Sequence, residues 1–507
     1  MPHINDHALA RPNAIAIADP NGKTLSWEML NNASIEFAHI LQEQGAQPGQ
    51  IISILLENRM EYFISVWGAL RLGLYVTPIN WHLKDTEVSH IISDSDSVLV
   101  ISSAMHNDLL AAIPLPVLMV DDNDIASRIN KAIATTGMLP AQFVQTEGQI
   151  MYYSSGTTGK PKGIRRPFMA REFGTPPPVD AFIASLYGIS ADTTYLSPAP
   201  LYHAAPLNWC LAILRLGGKI IFMDKFEPQE FLAQINNNRV THTQVVPTMF
   251  VRLLKMPEEI RKQYDTSSLK VVVHAAAPCP REIKQQMIDW LGDVIYEYYG
   301  GSESNGVTAL DSEEWRKHPG SVGRVVLGEV HICDEQGAEL SPNQEGTVYF
   351  SGLPDFEYYK DPAKTREAYN DKGWSTLGDI GYLDDDGYLY LTDRRAFMIV
   401  SGGVNIYPQE IENLLVNHPH IMDVAVLGMP NPDFGEEVVA VIEPTKPAPG
   451  EEPLSADSFT AAISAYCKAN LAAFKCPKKI ILMENLPRLP NGKLLKRMIK
   501  EQLLQRH

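Results

Sequence analysis

The chain has 507 residues, more than a single hydrophobic core normally organises, so two or more domains are expected. Hydrophobic residues make up 45% of it and charged residues 20%, the composition of an ordinary globular protein. The formal net charge of -17 argues against a nucleic-acid partner or an anionic membrane surface, because both reward a basic protein surface.

The five cysteines are scattered and include no C-x-x-C pair, which argues against a zinc site and a disulfide framework. The opening segment MPHINDHALARPNAIAIADP carries acidic residues and prolines where a signal peptide requires a continuous apolar stretch. No apolar run approaches the ~20 residues that span a bilayer. We therefore expect a cytoplasmic protein without integral membrane association.

Helical and strand patterns alternate along the first part of the chain. Residues 24–110 contain a helical spacing in SWEMLNNASIEFAHILQEQG, a strand in QIISILLEN, and a helix in EYFISVWGALRLG that ends at Gly73. The alternation resumes with the strands KIIFMD, VTHTQVV and LKVVVHAAAP and the helices PQEFLAQINNNR, Pro247 to Lys255, and REIKQQMIDWLG. This spacing predicts an α/β fold whose large N-terminal domain consists of layered sheets and helices, with a largely parallel sheet.

The pattern changes after about residue 320. The segments GRVVLGEVHICDEQGAEL, EGTVYFSG and GYLYLTDRRAFMIVSGG are short strand patterns separated by Gly and Asp turns, which predicts a β-rich subdomain. A smaller α+β unit begins near Arg395 and includes the helix YPQEIENLLVNH, two strands, a helix at 455–472 and the strand KKIILME. We therefore predict a large domain at 1–394 and a small, mobile C-terminal domain at 395–507.

The stretch SSGTTGKPKG, residues 154–163, follows the strand-like GQIMYY. Glycine permits the positive-φ turns that aim successive backbone amides at one anion, and the hydroxyls and lysines add donors and positive charge. The common P-loop is excluded, because Gly156 and Gly159 enclose two residues instead of four. A solvated turn is the alternative, but the full pattern favours a polyphosphate loop. Its candidate residues are Ser154, Ser155, Gly156, Thr157, Thr158, Gly159, Lys160, Lys162 and Gly163.

The whole string resembles the phosphate loop of the adenylate-forming superfamily, which comprises acyl-CoA synthetases, adenylation domains of peptide synthetases and firefly luciferases. Other segments resemble that family's motifs in the family's order, over essentially the whole chain, and the pattern is closest to fatty-acid or bulky-acid CoA ligases. They are HAAAPCP (274–280) for adenine, YYGGSES (298–304) for the Tyr-Gly-x-Thr-Glu motif, STLGDIGYLDDDGYLYLTDR (375–394) for ribose, SGGVNIYPQEIE (401–412) for coenzyme A, and LPRLPNGKLLKR (486–497) for the C-terminal lysine.

The resemblance implies ATP, Mg²⁺ and coenzyme A as cofactor and cosubstrates, and it implies catalytic roles for Lys493, Thr158 and Glu303. Glu303 would bind the metal, since magnesium prefers carboxylate and phosphate oxygens, and the resemblance also implies that Thr158 lies near that metal. Lys493 would neutralise charge that grows on the α-phosphate. The other implied contacts to nucleotide and coenzyme A are Ala276, Ala277, Pro278, Tyr299, Gly300, Ser302, Asp379, Arg394, Ser401, Gly402 and Gly403.

The chemistry of these residue types supports the implied roles. The carboxylate of Asp379 offers two acceptor oxygens to a ribose diol, and the guanidinium of Arg394 makes charge-assisted bonds in a fixed fork. Each has an ordinary alternative: a turn residue for Asp379, a surface charge at a strand end for Arg394, and an exposed loop acid for Glu303.

The implied reaction has two half-reactions: a carboxylate forms an acyl-adenylate with release of pyrophosphate, and the thiol of coenzyme A then displaces AMP. The small domain would rotate between them and exchange the Lys493 face for the Ser401–Gly403 face, about a hinge at Arg395–Ala396. No cysteine is expected to act. The sequence departs from the common family pattern at Ala396 and Phe397, where relatives carry polar residues, and at Leu377 and Leu489, where threonine is common.

The partner is expected to be a small-molecule carboxylic acid. The segment PAPLYHAAPLNW (198–209) resembles the family's aromatic/His segment beside the acyl site, so His203 is a candidate for the substrate pocket. Trp209 and Tyr298 are further candidates, because aromatic side chains are consistent with an apolar acyl pocket. A turn histidine and a core tryptophan are the alternatives for His203 and Trp209.

Three other functions remain open on the sequence. The acyl group could go to a carrier protein, the enzyme could be a luciferase-like oxygenase, or the chain could bind nucleotides without catalysis. The sequence also leaves a homodimer open.

Overall fold

The structure is a computed structural model, and it describes residues 3–111, 113–154, 161–168, 170–175, 177–394, 397–401, 404–445, 455–489, 492 and 494–505. The helices in chain order are α1 (Ile4–Ala10), α2 (Trp27–Glu43), α3 (Met60–Arg71), α4 (Asp85–Asp94), α5 (Asn107–Leu110), α6 (Asn123–Ala134), α7 (Pro178–Tyr187), α8 (Ala204–Arg215), α9 (Pro228–Asn238), α10 (Pro247–Leu254), α11 (Glu258–Arg261), α12 (Arg281–Leu291), α13 (Ser312–Lys317), α14 (Pro362–Glu367), α15 (Pro408–Leu415), α16 (Ala456–Asn470) and α17 (Lys496–Leu504).

The strands follow the same chain order. Those of the first half are β1 (Ile15–Ala18), β2 (Thr24–Ser26), β3 (Ile51–Leu55), β4 (Tyr75–Pro78), β5 (Ser97–Ser102), β6 (Val117–Met119), β7 (Thr146–Glu147), β8 (Gln149–Ile150), β9 (Tyr152–Ser154), β10 (Lys162–Arg165), β11 (Arg171–Glu172), β12 (Thr194–Ser197), β13 (Lys219–Phe222) and β14 (His242–Val245). Those of the second half are β15 (Val271–His274), β16 (Ile295–Tyr299), β17 (Val307–Leu310), β18 (Arg324–Leu327), β19 (Glu329–Cys333), β20 (Gly346–Ser351), β21 (Glu357–Tyr358), β22 (Asp379–Leu383), β23 (Leu389–Arg394), β24 (Ile399–Ser401), β25 (Val404–Ile406), β26 (Ile421–Asn431), β27 (Gly435–Pro444) and β28 (Lys479–Leu482).

Two sheets with parallel centres organise the large domain. One has the order β18-β17-β16-β15-β14-β12-β13-β1-β2 and is parallel from β16 to β1, while the other, β6-β5-β3-β4-β8, is parallel throughout. The largest hydrophobic core contains buried residues of α2, α3 and α8 together with residues of both sheets. The predicted layered α/β architecture is confirmed.

The carboxyl ends of β12, β14, β15 and β16 lie at one edge of the nine-stranded sheet, because these strands are parallel neighbours. Ligands of open α/β sheets bind in the crevice outside such an edge. The segments that follow these strands are those that carry His203, Thr248, Ala276 and Gly300. The topology therefore gathers several predicted site segments on one side of the sheet.

The β-rich subdomain is an antiparallel sheet with the order β19-β20-β22-β23. One segment predicted for this subdomain belongs elsewhere: β18 pairs with β17 and forms the end of the nine-stranded sheet. The chain changes sheets at Gly328, whose φ of 83° suits glycine, and β19 begins one residue later. Local strand pattern cannot predict which sheet a strand joins, because pairing depends on distant partners.

The C-terminal unit is a sheet of β25-β24-β27-β26, with β28 added in parallel to β27, and α15, α16 and α17 packed on it. This agrees with the predicted α+β unit, and helix α16 ends at Asn470, two residues before the predicted end. Within the described residues, no helix combines the length and apolarity that a membrane crossing requires.

Candidate active site

The phosphate-loop candidates begin and end on a β-hairpin. Strand β9 ends at Ser154, β10 begins at Lys162, and the two residues are antiparallel partners, with Gly163 opposite Tyr153. The chain thus leaves and re-enters the hairpin at neighbouring points, roughly one strand spacing of 4.8 Å apart. The predicted loop residues 155–160, which include Thr158 and Lys160, lie outside the described residues.

Lys162 forms an ion pair at the mouth of this hairpin. Its Nζ lies 3.2 Å from Oδ2 of Asp361 and 5.9 Å from the centre of the Tyr358 ring. The backbone N–H of Lys364, and then the Lys162 ammonium, lower the pKa of the Asp361 carboxyl. Lys162 is therefore anchored beside the predicted phosphate site.

Glu303 is buried, with 8% of its surface exposed, so the alternative of an exposed loop acid is excluded. The hydroxyl of Tyr358 donates a hydrogen bond of 3.0 Å to its Oε1. The guanidinium of Arg166 donates to the backbone carbonyls of Glu303 and Ser304, at 3.3 and 3.1 Å. The neighbouring Ser302 is exposed. Contacts from two other segments therefore hold this acid and its backbone in place.

Asp379 lies next to Tyr299. The Tyr299 hydroxyl donates a hydrogen bond of 2.6 Å to Oδ2 of Asp379, which is 5% exposed. Asp379 begins β22 directly opposite Arg394, the last residue of β23. The structure thus brings the predicted ribose carboxylate to the end of β16, where Tyr299 and Gly300 are located.

The predicted adenine loop follows β15. Ala276 is exposed and has a φ of 72°, a left-handed conformation that is uncommon for residues other than glycine. Ala277 is half-buried and Pro278 is exposed. Strained backbone of this kind concentrates at functional sites, and here it occurs at the predicted adenine contact.

A buried ion pair lies next to the strand that leads into the predicted adenine loop. Nζ of Lys284 on α12 lies 2.6 Å from Oε2 of Glu297 on β16, and Nε2 of His274 on β15 lies 3.4 Å from the same oxygen. Burial raises the pKa of the Glu297 carboxyl, and the Lys284 ammonium opposes that shift. Glu297 and His274 immediately precede Tyr298 and Ala275, so the ion pair ties α12 to β16, and the approach of His274 to Glu297 lies between the ends of β15 and β16.

The predicted acyl-site residues have different surroundings. His203 is half-buried at the start of α8, with its ring 4.6 Å from that of Tyr202. Trp209 is 3% exposed and stacks on Tyr195 at 5.9 Å, so it belongs to the core. Burial raises the pKa of Tyr298 to about 12, and a hydrogen bond with Trp209 opposes the shift. Trp209 therefore lies in the core and is linked to Tyr298, another predicted pocket residue, by this hydrogen bond.

The small domain contacts the large domain next to the same edge of the sheet. The ammonium of Lys255 donates to the backbone carbonyl of Ile421, and burial lowers the pKa of Lys255 to about 8. Asn417 donates to Glu282 over 3.1 Å. Gly492 packs so closely on the large domain that a Cβ there would lie 2.5 Å from Oγ1 of Thr248.

Lys493 lies outside the described residues, as do Gly402 and Gly403. On either side of the segment that contains position 493, Arg488 and Leu494 form an antiparallel bridge. The guanidinium of Arg488 donates to Asp423, at 2.7 Å from Oδ1, and to the carbonyl of Gly492 at 2.5 Å. Ser401 is half-buried at the end of β24, opposite Gly435 of β27.

Sequence reasoning missed Tyr358, Arg166, Asp361 and Arg488 as supports of the site. The Asp361-Pro362 step, a helix start signal, could have indicated that Asp361 is ordered, and its side chain does cap α14. The contact of Tyr358 with Glu303 depends on pairing between β21 and β10, which are distant in the chain. No local pattern reports such a contact.

The chain matches the family described as AMP-binding enzyme over residues 4–359, and the family described as AMP-binding enzyme C-terminal domain over residues 410–493. The first match alone covers more than half of the chain. The second includes the position of Lys493 and begins after the segment in which the hinge is predicted.

Proteins similar to this chain over nearly their full length include CoA ligases. The long-chain-fatty-acid–CoA ligase FadD13 of Mycobacterium tuberculosis is 30% identical, with 98% of this chain and 97% of that protein covered. Feruloyl-CoA synthase of an Amycolatopsis species is 30% identical, with 96% and 95% covered. The solved structure of o-succinylbenzoate CoA synthetase (MenE) from Bacillus subtilis, in complex with the acyl-adenylate intermediate, is similar with a TM-score of 0.81, 25% identity, and 99% and 98% covered. The resemblance found in the sequence is confirmed: the chain belongs to the AMP-binding enzyme family and is an enzyme of the adenylate-forming superfamily.

Proposed function

We propose that the chain is an ATP-dependent carboxylic acid–CoA ligase, which forms an acyl-adenylate and then an acyl-CoA thioester from a hydrophobic acid. The observation that carries the proposal is two sets of contacts on neighbouring segments. The first runs from Lys162 at the mouth of the hairpin, through the Tyr358 ring, to the buried Glu303. Four residues before Glu303, Tyr299 bonds to Asp379. Groups suited to phosphate, metal and ribose therefore occur in the order in which a nucleotide presents those parts.

In the first half-reaction, an oxygen of the substrate carboxylate attacks the α-phosphorus of ATP, and the bond to the bridging oxygen of the β-phosphate breaks. Asp379 would hold the ribose hydroxyls, and the segment 154–163 would hold the β- and γ-phosphates. Lys493 would stabilise the negative charge that increases at the α-phosphate. The products are an acyl-adenylate and pyrophosphate, and catalysis consists of positioning and charge stabilisation.

In the second half-reaction, the sulfur of coenzyme A attacks the acyl carbonyl carbon and AMP leaves with the electrons of the acyl–oxygen bond. The Ser401–Gly403 segment would contact coenzyme A after the small domain, residues 395–507, rotates relative to residues 1–394. Phe397, next to the predicted hinge, contacts the small domain: its ring lies 5.2 Å from Nζ of Lys496, which pairs with Glu412 at 2.7 Å.

Glu303 fits magnesium by the chemistry of its donor set. Its carboxylate is a hard oxygen ligand, and the hydrogen bond from Tyr358 uses one of about four lone-pair directions. Among the described residues, no group of three or more His, Cys, Asp or Glu side chains is arranged to hold a metal by itself. Magnesium commonly binds through one or two carboxylates plus substrate phosphates, and when bound it would neutralise phosphate charge.

The acid is proposed to be hydrophobic, whether fatty, alicyclic or aromatic. Tyr298 and the small residues Ala276 and Ala277 border the edge of the sheet where the acid would lie, and His203 immediately precedes the neighbouring helix α8. The similar proteins named above act on long-chain fatty acids and on feruloyl and succinylbenzoyl groups. A cytoplasmic location and a homodimer stay predictions.

A panel of carboxylic acids tests the proposed function. The protein is incubated with ATP, magnesium and one acid at a time, and pyrophosphate and AMP are followed with and without coenzyme A. We expect acid-dependent pyrophosphate from hydrophobic acids and a thioester when coenzyme A is present. Absence of acid-dependent pyrophosphate across the panel would contradict an enzyme of this type, and adenylate without thioester would favour delivery to a carrier protein. Oxygen-dependent light emission would indicate a luciferase-like reaction.

Replacing Gly492 by alanine is expected to slow adenylate formation about tenfold. Gly492 has a φ of 83°, and a Cβ there would lie 2.5 Å from Oγ1 of Thr248 and 2.8 Å from Cγ2 of Val246. A left-handed alanine costs about 1–2 kcal/mol, and the clash adds to it, so the docked turn becomes less populated. Single-turnover pyrophosphate release measures the effect.

Gly337→Ala is the matched control: φ there is 79°, and a Cβ meets no heavy atom of the described residues within 4 Å. Equal rates for the two variants would contradict a docking role for Gly492.

A further inference from the structure

Strand β21 connects the phosphate-binding hairpin with Glu303. It pairs with β10 so that Tyr358 lies opposite Ile164, two residues along the strand from Lys162. Three residues after β21 ends, Asp361 forms the ion pair with Lys162, and it also caps α14 by accepting from the backbone N–H of Lys364 at 2.9 Å. The segment 357–361 is thus tied to the hairpin by backbone pairing and by a side-chain ion pair.

Tyr358 extends this connection to the acid. Its hydroxyl donates to Oε1 of Glu303 at 3.0 Å, while its ring lies 5.9 Å from Nζ of Lys162. The other carboxylate oxygen, Oε2, lies close to Gly301. A Cβ at position 301 would be 2.8 Å from this oxygen, so the glycine leaves room for the carboxylate. The Tyr358 hydroxyl on one side and the space beside Gly301 on the other together favour one position of the Glu303 carboxylate.

We propose that Tyr358 is a positioning residue for the reaction: its hydroxyl holds the Glu303 carboxylate in the orientation that binds magnesium with ATP and couples that acid to the phosphate-binding hairpin. This inference rests on the proposed function, because it assigns the support of a metal ligand in that reaction. In this assignment Tyr358 acts through Glu303, to which its hydroxyl donates, and not on the substrate.

The chemistry of the contact favours this role over a purely structural one. A phenol is a neutral donor, so it restrains the glutamate without neutralising the negative charge that a divalent cation needs. A lysine or arginine at the same place would restrain it and compete with the cation for the same charge. Partners that orient a metal ligand by a hydrogen bond typically contribute tenfold to a hundredfold in metal affinity.

The test compares Tyr358→Phe with Tyr359→Phe. Both variants lose a phenol hydroxyl that donates to a carboxylate, but the Tyr359 hydroxyl donates to Asp96, at 2.8 Å, and Asp96 keeps an ion pair with Lys360 at 2.7 Å. The two changes are therefore equal in chemistry and adjacent in the chain, and only the first removes the contact to Glu303. Thermal unfolding of each variant measures any general loss of stability.

We expect Tyr358→Phe to raise the magnesium concentration at half-maximal pyrophosphate release by about tenfold, with the KM for the acid unchanged. Tyr359→Phe should leave both values as in the parent protein. A second readout needs no turnover: Mn²⁺ binding, followed by electron paramagnetic resonance in the presence of an ATP analogue that cannot be cleaved between the α- and β-phosphates. The same variant should weaken Mn²⁺ binding by about tenfold.

A double-mutant cycle separates positioning from damage to the fold. In a Glu303→Gln background, Tyr358→Phe should add little further loss of Mn²⁺ affinity, because its effect acts through that carboxylate. Equal Mn²⁺ affinities for the two tyrosine variants, or a full tenfold loss that persists in the Glu303→Gln background, would overturn the inference. A parent protein that binds Mn²⁺ with the analogue but releases no acid-dependent pyrophosphate overturns the proposed function instead, and the binding comparison still decides the role of Tyr358.

Discussion

Replacing Lys493 by alanine is expected to slow adenylate formation by about 10²–10³-fold, the loss found when one preorganised donor to a developing charge is removed. The thioester step from supplied acyl-adenylate should fall far less, because the α-phosphate is attacked only in the first half-reaction. Single-turnover release of pyrophosphate measures the first step, and thioester formation from synthetic adenylate and coenzyme A measures the second.

Lys500→Ala is the control for this prediction. Lys500 lies on the same C-terminal segment and pairs with Glu436 at 3.1 Å on the surface of the small domain. Both changes remove one ammonium from a basic stretch, but only Lys493 follows Gly492, which packs on Thr248 of the large domain. Equal losses in both half-reactions for Lys493→Ala, or an equal effect of Lys500→Ala, would contradict a specific role at the α-phosphate.

Replacing Asp379 by alanine is expected to weaken ATP binding by roughly 10²-fold. A hydrogen bond to a charged group contributes about 1.5–3 kcal/mol, and each 1.4 kcal/mol is a factor of ten. The change also leaves the Tyr299 hydroxyl without the acceptor that it has at 2.6 Å. Calorimetric titration with ATP measures the affinity, and the maximal rate at saturating ATP should fall less than the affinity does.

Tyr299→Phe separates the two consequences of that change. It removes the hydrogen bond to Asp379 and keeps the carboxylate available for the ribose, so ATP affinity should fall by less than tenfold. Circular dichroism and thermal unfolding check that Asp379→Ala remains folded. ATP affinity that is unchanged in Asp379→Ala, or reduced equally in both variants, would contradict direct contact between Asp379 and ribose.

Elements with strong local signals were predicted well from the sequence. Helix α3 ends at Arg71, and Gly73 follows with a φ of 68°, the left-handed conformation in which glycine commonly terminates a helix. The helix that begins at Pro247 and the strand Val271–His274 also lie where their patterns predicted them. Such elements are predictable because proline, glycine and apolar periodicity act through neighbours in the chain.

Predictions that depended on distant partners were less complete. The pattern of β18 is that of a short strand, but only its pairing with β17 assigns it to the nine-stranded sheet. Trp209 was open between core and pocket, and its stack on Tyr195 places it in the core. The surroundings of an apolar side chain depend on which elements pack against it, and the sequence around it carries no record of them.

The residue types of the site, and hence its chemistry, could be inferred from short segments of the chain. Hydroxyls and glycines suited to phosphate, a carboxylate suited to ribose and an acid suited to magnesium are properties of single residues and their immediate neighbours. Their support could not be inferred in that way. The contacts of Tyr358 with Glu303, of Tyr299 with Asp379 and of Arg488 with Asp423 join segments that become neighbours only when strands pair and sheets pack. Local sequence determines which groups are available, and tertiary structure determines how they are oriented, because orientation comes from contacts between parts of the chain that are far apart in sequence.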